Sequence, residues 1–317
     1  MINSTMTRTE QIRTPVRGAW IVPSRIKEAL CRACVTVGDQ DDTRRYDYTG
    51  ILWGAGPDGE HWIISTDSYR VHMENYQPGE DEMPEYAPHP GEYYLLDGGA
   101  INHVLGTQTL RKSIVDLTIG TDDDGTPRIT ARNLHKKTPK PRTHPLPPSE
   151  HDYPDVFDKL PETEYVACPQ VLLEDMIIAL DGTKTAARAD GNRIEVTAYP
   201  NLLTICAGND RPGEHYVEAD VMTLSGSHDN PATIRIDHRL LRPYLKRIDD
   251  TLLGDPIFRF HVPKLRERGN PFMLATQTNR PTHRMEYYQF TIFNPERYKP
   301  QEDESTEEKQ EAEPVHA

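Results

Sequence analysis

The sequence contains no long hydrophobic run, few cysteines and a deficit of positive charge. No apolar stretch approaches the roughly 18 residues that a membrane-spanning helix requires. The start, MINSTMTRTEQIRTPVR, lacks the apolar segment of a secretion signal. The four cysteines do not have the spacing of a small disulfide scaffold. We therefore expect a cytoplasmic protein with reduced thiols and no membrane partner.

Acidic residues outnumber basic ones by 50 to 36, so the formal net charge is −14. The end of the chain, QEDESTEEKQEAEPVHA, is strongly acidic and cannot build a core. We therefore expect disorder over residues 300–317, and also over the polar residues 1–17. Proline clusters in residues 78–90 and 139–148, and each window predicts a long loop. The length of 317 residues suggests about two domains.

Four segments share one layout: AWIVPSRIKEAL, YYLLDGGAINHVL, YVACPQVLLEDMI and TIRIDHRLLRPYL. Each begins with a short β-prone run, has Pro or Asp at a turn and continues as an amphipathic helix. The turn residues, which lie about 70 residues apart, are Pro23, Asp97, Pro169 and Asp237. Such a nearly constant period indicates a repeated supersecondary unit.

A pair of predicted strands follows each helix. Two β-rich runs surround a turn in GILWGAGPDGEHWIIST, in VDLTIGTDDDGTPRITA and in RIEVTAYPNLLTICA. DPIFRFHV and YYQFTIF complete the last unit. The sequence therefore predicts an α+β fold of four β-α-β-β units, grouped as two similar domains with their boundary within residues 152–164.

The predicted helices are the basic part of this acidic chain. Their windows are residues 23–37, 97–113, 169–188 and 237–253. These windows carry eleven basic and eight acidic residues, although the third window is slightly acidic. A basic helical surface on an acidic protein indicates local contact with phosphate, and the alternative is that these are ordinary solvated helix faces. The cations that would make this contact are Arg25, Lys27, Arg32, Arg111, Lys112, Lys184, Arg188, Arg239, Arg242, Lys246 and Arg247.

The last helix shows this separation of charge most clearly. Arg239, Arg242 and Lys246 fall on one stripe of the helical projection. A separate apolar stripe, which includes Leu241 and Leu245, would face a core. The basic stripe is therefore free to meet a ligand without disturbing the packing.

Four stretches occur in an order that is typical of one protein family. They are YTGILWGAGPDGEHWIISTDSYRVH, SEHDYPDVFDKLP, IRIDHRLLRPYLKRIDD and YYQFTIFNPER. The first ends in T-D-x-x-R at Thr66, Asp67 and Arg70, and the second carries Tyr153 and Pro154. In this order they resemble the DNA sliding clamps, the β subunits of bacterial DNA polymerase III. The resemblance extends over about residues 18–298.

The resemblance implies a DNA-clamp fold, with helices lining a channel for duplex DNA and antiparallel sheets on the outside. It implies one clamp domain over residues 18–161, similar to the family's middle domain, and one over residues 162–299, similar to its C-terminal domain. The implied function is that of a non-catalytic processivity factor that needs no cofactor. Such a factor encircles double-stranded DNA of any sequence, tethers a replicative polymerase and is loaded by a separate clamp loader ATPase.

The number of domains bears on assembly. As the resemblance implies, clamps close around DNA with six domains, and bacterial clamps supply them with two three-domain chains. Two domains per chain would then require a homotrimer, joined head to tail through an edge strand at either end. A two-domain clamp of bacterial type is consistent with a bacteriophage origin.

The resemblance also implies a pocket that receives a short apolar peptide from partner proteins. The matching positions are Thr66, Ser68, Tyr69, Arg70, Val71, Pro161, Leu240, Phe293, Pro295 and Arg297. Apolar side chains would form its floor and the two arginines would hold polar groups of the peptide. The alternative is that these are ordinary packed residues at strand ends. The sequence departs from the family at Asp237 and Leu240, where Asn and Tyr are usual, and at FNPER in place of Met-Pro-Met-Arg.

Three other interpretations stay open. A metal-dependent hydrolase would use His61, Asp67, His72 and Glu74, although alternation along strands would split them between two sheet faces. A clamp-like adaptor would bind proteins without encircling DNA. The basic, proline-rich residues 135–148 would be either a surface loop or a further DNA contact. By contrast, Cys31-x-x-Cys34 lacks a second pair at zinc spacing, and TDDDG lacks the downstream Glu of a calcium loop.

Overall fold

The structure, a computed structural model, describes residues 20–38, 48–56, 58–78, 87–105, 115–121, 123–134, 141–146, 153–156, 160, 162–208, 216–225, 231–252, 256–264, 271–276 and 283–290. Within these ranges the helices are α1 (Ser24–Ala33), α2 (Gly98–Leu105), α3 (Leu173–Ala189) and α4 (His238–Thr251). The strands are β1 (Trp20–Ile21), β2 (Gly50–Ala55), β3 (His61–Thr66), β4 (Arg70–Tyr76), β5 (Tyr93–Asp97), β6 (Val115–Thr121), β7 (Pro127–Asn133), β8 (Arg142–Pro145), β9 (Tyr165–Ala167), β10 (Gln170–Leu172), β11 (Arg193–Ala198), β12 (Leu202–Ala207), β13 (Val217–Ser225), β14 (Ala232–Asp237), β15 (Ile257–Pro263), β16 (Pro271–Thr276) and β17 (His283–Phe290). None of the described helices is long and apolar enough to cross a membrane.

The fourfold repeat is present, but each unit is longer than predicted. Among the described residues, three strands follow every helix and one strand precedes it, except that two short strands, β9 and β10, precede α3, so the unit is β-α-β-β-β. The predicted hairpins β2–β3, β6–β7 and β11–β12 all form. The sequence patterns do not predict β4, β8, β13 or β16. In β13 one face packs against the second core through Val217, Ala219 and Val221, while Glu218, Asp220 and Met222 alternate with them on the exposed face.

Successive units are interlocked by exchange of their first strands. β1 pairs with β6 of the second unit, while β5 pairs with β2 of the first. In the same way β10 pairs with β15 and β14 pairs with β11. All of these pairs are antiparallel. Each unit supplies one strand to the sheet of its neighbour. Neither unit of a pair would therefore have a complete sheet by itself.

The described strands form two sheets. The smaller has the order β1-β6-β7-β8, and the larger runs β14-β11-β12-β13-β10-β15-β16-β17-β4-β3-β2-β5, with β9 beside β15. The helices pack together on one side, with α1 in contact with both α2 and α4, and α4 in contact with α3. The two antiparallel sheets, which we together call the wall, therefore carry the helices on one face.

The helix predicted after Pro169 forms, but it starts later than the predicted window of residues 169–188. Residues Gln170–Leu172 form β10, and α3 begins only at Leu173. Val171 is fully buried and pairs with Thr223 on one side and Phe258 on the other. Pairing with two distant strands therefore outweighs the local helical pattern at this point.

The prediction of a long loop over residues 139–148 also needs correction. Arg142–Pro145 forms β8, which pairs with β7 and ends the smaller sheet. Proline is tolerated on such an edge because it removes only a donor that faces away from the ladder. The remaining residues of the basic segment 135–148 lie outside the described part, apart from Pro141 and Leu146.

Two helix ends, the start of α4 and the end of α3, are formed by residues that favour such positions. The Asp237 side chain accepts a hydrogen bond from the amide of Arg239 (2.8 Å) and so caps α4. At the C-terminal end of α3, Gly191 and Asn192 both have positive φ, at 64° and 66°. The Asn192 amide donates to the Ala187 carbonyl (2.6 Å). This left-handed turn satisfies a helix-end carbonyl and stops α3.

Two large cores lie between the helices and the sheets. One is formed by residues from Val22 to Leu146 and surrounds α1 and α2, with Trp53 among its largest members. The other is formed by residues from Ala167 to Tyr287 and surrounds α3 and α4. The predicted apolar stripe of α4 enters this second core, where Leu241 and Leu245 are fully buried.

The two halves meet along the pairing of β4 with β17, which we call the seam. Val71 pairs with Tyr288 and Glu74 pairs with Met285, so the larger sheet continues without a break from one core to the other. Beside the seam, the α1 residue Arg32 is only 1% exposed. Its guanidinium donates to both carboxylate oxygens of Glu74 (2.9 and 2.5 Å) and to the Thr251 hydroxyl of α4 (3.0 Å).

Glu74 is the centre of this buried polar cluster. Its carboxylate also contacts His283 Nε2 of β17 (2.6 Å) and lies 3.4 Å from His72 Nε2. Burial opposes ionisation, but the Arg32 charge, the close contact with His283 and the nearby His72 outweigh it and hold the pKa of Glu74 well below its usual range. Burial lowers the pKa of His72, so its neutral ring accepts a hydrogen bond at Nδ1 from the Tyr244 hydroxyl (3.0 Å).

We expect Arg32→Met to lower the free energy of unfolding by about 3–5 kcal/mol, since it leaves the Glu74 charge buried without its strongest partner. The exposed pair of Arg239 with Asp237 offers a control, and Arg239→Met should cost less than about 1 kcal/mol. Arg32→Met with Glu74→Met should recover part of the stability, because no uncompensated charge remains. Urea unfolding measures all three, and a destabilisation by Arg32→Met no larger than that of the control would contradict this assignment.

Candidate nucleic-acid interface and partner pocket

The basic stripe of α4 lies on the helical side of the wall. Arg239 is the most exposed of its three cations, with 65% of its side chain accessible and its guanidinium paired with Asp237 (2.7 Å). Arg242 and Lys246 are both paired with a single carboxylate of α3, that of Asp181. The stripe is therefore accessible, but each of its three cations already has an internal carboxylate partner.

Other predicted phosphate contacts are placed differently by the structure. Lys27 is 6% exposed and donates from Nζ to the Val115 carbonyl (3.0 Å), while Arg32 is buried in the seam. Burial lowers the pKa of Lys27, although nearby carboxylates oppose this shift. Neither side chain presents its charge to solvent in this chain, so the expectation that they contact DNA is corrected. The local helical pattern does not reveal that the first core covers Lys27, near β6, and that Arg32 is buried beside the seam.

The remaining predicted cations are distributed over three helices. Arg25 is exposed on α1, with its guanidinium 6.0 Å from the centre of the Tyr76 ring. On α3, Lys184 is half-buried and Arg188 is exposed. Arg247 of α4 is half-buried. Two further predicted contacts, Arg111 and Lys112, lie outside the described residues.

Arg247 serves the contact between α1 and α4. Its guanidinium donates to Cys31 Sγ of α1 (3.0 Å). Burial by itself would lower the pKa of Arg247, but the interaction with Cys31 outweighs this effect. The pKa of Arg247 is therefore raised, and its guanidinium stays charged. All four cysteines, which are Cys31, Cys34, Cys168 and Cys206, are free thiols in the structure. We therefore assign Arg247 to packing between helices as well as to the basic surface.

The T-D-x-x-R motif forms a tight turn between β3 and β4. Asp67 accepts hydrogen bonds at Oδ1 from the amides of Tyr69 and Arg70, each 3.0 Å, and at Oδ2 from Arg70 Nε (2.8 Å). Thr66 Oγ1 accepts from the amide of Ser68 (3.1 Å) and donates to the Arg70 carbonyl (2.8 Å). Ser68 has φ of 75°, in the left-handed region. The side chains of the motif therefore hold a turn that Ser favours little by itself.

Hydrogen bonds also connect this turn to α4 and β17 in the other half of the structure. Arg70 donates to the Leu240 carbonyl in the first turn of α4 (2.9 Å), and the Phe290 amide of β17 donates to the Tyr69 carbonyl (3.0 Å). The Gln289 side chain donates to the Asp237 carbonyl (3.0 Å). The predicted pocket residues Thr66, Ser68, Tyr69, Arg70, Val71 and Leu240 are thus brought together at the junction of the two halves.

A small apolar cluster lies next to the turn. Val71 packs with Val156 and with the partly buried Leu160, both from the segment that follows β8. Tyr153 of this segment donates to the Ile64 carbonyl (3.2 Å). Tyr69, by contrast, is 58% exposed. The site therefore combines an apolar floor, an exposed aromatic side chain and a fixed guanidinium.

Some predicted pocket residues are not placed by the structure, and some contributors were not predicted. Pro161, Phe293, Pro295 and Arg297 lie outside the described residues. Val156 and Leu160 were not predicted, although both lie in the quoted motif SEHDYPDVFDKLP. Asp181 was missed as a partner of the basic stripe. Its one signal in the sequence is the acidic balance of the third helix window.

The alternative of a metal site gains no support from the described residues, in which no three His, Cys, Asp or Glu side chains could hold a metal ion together. The reason given from the sequence was partly wrong, because strand pairing aligns Ser65 with His72 and Ile63 with Glu74, which places His61, His72 and Glu74 on one face. The His61 ring accepts a hydrogen bond from Trp53 Nε1 (3.0 Å). Glu74 is occupied by Arg32.

Comparison with known proteins defines the fold. The amino-acid sequence matches no protein-family model and no curated protein sequence. The structure is similar to the DNA polymerase sliding clamp of Bacillus subtilis, at 16% identity and a TM-score of 0.61, over 91% of this chain and 67% of that one. It is similar to the DNA polymerase III β subunit of Thermotoga maritima, at 14% identity and a TM-score of 0.59, over 91% and 69%.

A third similar structure is the Helicobacter pylori β clamp bound to a DNA ligase peptide, at 14% identity and a TM-score of 0.59, over 90% of this chain and 68% of that one. Each match extends over most of the chain. The predicted DNA-clamp fold is therefore confirmed, and the protein has the fold of the bacterial sliding clamps.

Proposed function

We propose that this protein is a sliding clamp: a non-catalytic processivity factor that encircles duplex DNA and tethers a replicative polymerase. The observation that carries the proposal is the clamp fold over nine-tenths of the chain, with a basic helix stripe on the face opposite the sheets. Phosphate contacts of this kind carry no sequence information and so permit sliding. The partners would be DNA, a polymerase and a loader ATPase, in the cytoplasm and without a cofactor.

The domain organisation that we propose follows the two cores. One clamp domain would cover residues 18–161 and the other residues 162–299, and each would contain one of the large cores. The chain covers 67% to 69% of the length of the similar clamps. This length is consistent with two of the family's three domains, and a bacteriophage origin would be in keeping with it.

Ring closure is supported by two edge strands of opposite character. β8 ends the smaller sheet and carries Arg142, within a basic stretch of sequence. Over Val217–Met222, β13 pairs with β12 on one side, and the described residues place no strand on its other side. This edge carries Glu218 and Asp220, next to the exposed side chain of Met222. Pairing β8 of one copy with β13 of the next would remove both edges and bring opposite charges together.

The pocket at the seam would receive an apolar peptide from the polymerase and other partners. The Helicobacter pylori clamp was solved with a DNA ligase peptide, which supports peptide capture as the use of this fold. Here Val71 and its neighbours would form the floor, Tyr69 would close over the peptide and Arg70 would hold a polar group. Phe293 and Arg297 would complete the site.

An adaptor that binds proteins without encircling DNA is the second candidate. It is favoured by the burial of Lys27 and Arg32 and by the pairing of Arg242 and Lys246 with Asp181. Retention on closed circular DNA after loading, with release when the circle is cut, would distinguish the clamp from the adaptor.

We expect Arg242→Ala with Lys246→Ala to weaken binding of a fluorescent duplex and to flatten its dependence on salt, by up to about one unit of slope for each phosphate that is no longer neutralised. The matched control is Arg132→Ala with Arg259→Ala, which removes the same charge from exposed positions on the strands β7 and β15. Fluorescence anisotropy over a salt series measures both. Equal slopes in the two double variants would argue against contact between the α4 stripe and DNA.

The pocket is tested with Tyr69→Ala, which should weaken binding of the DNA ligase peptide by on the order of 2 kcal/mol if Tyr69 is a hot spot. Tyr199→Ala, a change at an exposed tyrosine remote from the turn, should leave the affinity unchanged. Titration calorimetry gives both values. Undiminished affinity in a folded Tyr69→Ala protein would place the peptide site elsewhere.

The assembly is tested by light scattering near physiological salt, where we expect about three times the chain mass of 36.1 kDa. Glu218→Lys with Asp220→Lys should reduce this mass, because β13 would then face β8 with like charge. Adding Arg142→Glu should restore part of it. A stable dimer of the unaltered chain would contradict the proposed ring, since four domains would not close it.

A further inference from the structure

Two of the three cations in the α4 stripe are paired with one carboxylate of the neighbouring helix. Asp181 of α3 contacts Lys246 Nζ through Oδ2 (2.9 Å) and both Nε and a terminal nitrogen of Arg242 through Oδ1. The three side chains are 38%, 41% and 20% exposed, in the order Asp181, Lys246 and Arg242. The cluster is therefore open to solvent, and a ligand can reach it.

Asp181 is ionised in the free protein. Slight burial opposes ionisation, but hydrogen bonds from Lys246 and Arg242 outweigh it and lower the pKa of Asp181. The three side chains together carry a charge of +1, whereas the two cations alone would carry +2. A phosphate that approaches Arg242 must therefore compete with a carboxylate that already occupies the guanidinium.

Such an exposed ion pair is also weak enough to open. Exposed pairs stabilise a protein little, because water and salt screen them and their side chains lose freedom. A phosphate can therefore displace the carboxylate, and the carboxylate can recover the cations when the phosphate leaves. A contact of this kind exchanges readily, which suits a protein held on DNA by its topology rather than by its affinity.

We propose that Asp181 is an internal competitor of the DNA phosphates: it holds Arg242 and Lys246 in the free protein and thereby keeps contact with the duplex weak. This inference rests on the proposed function, because it assigns a role in DNA contact to the same basic stripe. Asp181 is not itself a phosphate-binding residue. It sets how much of the stripe's charge is available.

The test is Asp181→Asn, which keeps the size of the side chain and removes its charge. We expect binding of a 30-base-pair fluorescent duplex to tighten roughly three- to tenfold at low salt, and its salt dependence to steepen by up to about one unit of slope. The matched control is Glu174→Gln, a change of the same charge at an exposed position of the same helix. The control should tighten binding far less, because no ion pair is opened.

A double-mutant cycle then tests whether Asp181 acts on DNA binding through Arg242 and Lys246. In an Arg242→Ala, Lys246→Ala background, Asp181→Asn should no longer differ from Glu174→Gln, because the cations that it would free are absent. An equal gain from Asp181→Asn and Glu174→Gln in the unaltered background would overturn the proposal in favour of a general charge effect. Weaker binding by Asp181→Asn would overturn it as well, since Asp181 would then be arranging the cations for phosphate.

The failure of this inference is distinguishable from failure of the proposed function. If the unaltered protein binds the duplex and Asp181→Asn changes nothing beyond the control, only the competitor role is overturned. If neither the unaltered protein nor any variant binds the duplex at low salt, DNA contact by the stripe is overturned, and the competitor role with it. Thermal unfolding of each variant confirms that the comparison is made between folded proteins.

Discussion

The buried polar cluster around Glu74 is the interaction that links the two halves of the structure. Two charges in a dry interior are unfavourable unless each has a close partner, and here each has one from a different element. Arg32 comes from α1 and Glu74 from β4, while His283 of β17 and Thr251 of α4 complete the cluster. Arg32 and Glu74 belong to the same half, so it is their contacts with Thr251 and His283 that connect this cluster to the other half.

The candidate sites are consequences of that junction. The Thr66–Arg70 turn is built locally, yet its guanidinium ends on a carbonyl of α4 in the other half. The basic stripe lies on the exposed side of α4, whose opposite side supplies Tyr244 and Thr251 to the seam. A shift of one half against the other would therefore disturb the Thr66–Arg70 turn and the basic stripe of α4 together. If the protein acts as a clamp, this rigid connection keeps the pocket in a fixed relation to the duplex.

Local patterns predicted most of the elements correctly where a turn or a cap was encoded nearby. The hairpins around Gly59 and Gly125 form because each glycine adopts a positive φ that other residues rarely accept. Asp237 caps α4 as its position suggested. The errors lie at residues whose secondary structure depends on strands that are distant in the sequence. Residues 170–172 become a strand because two strands recruit them, and Arg142–Pro145 becomes one because β7 offers an edge.

The sequence by itself determined the fourfold repeat, the apolar faces of the helices and the resemblance in motif order that pointed to the clamp fold, because periodicity, caps and turns are local properties. Only the tertiary structure decided which charges remain available. Lys27 and Arg242 are both helical cations in the sequence, yet one is covered by the first core and the other meets Asp181 across a helix contact. Burial and ion pairing depend on residues far apart in the chain, and so a helical projection cannot show them.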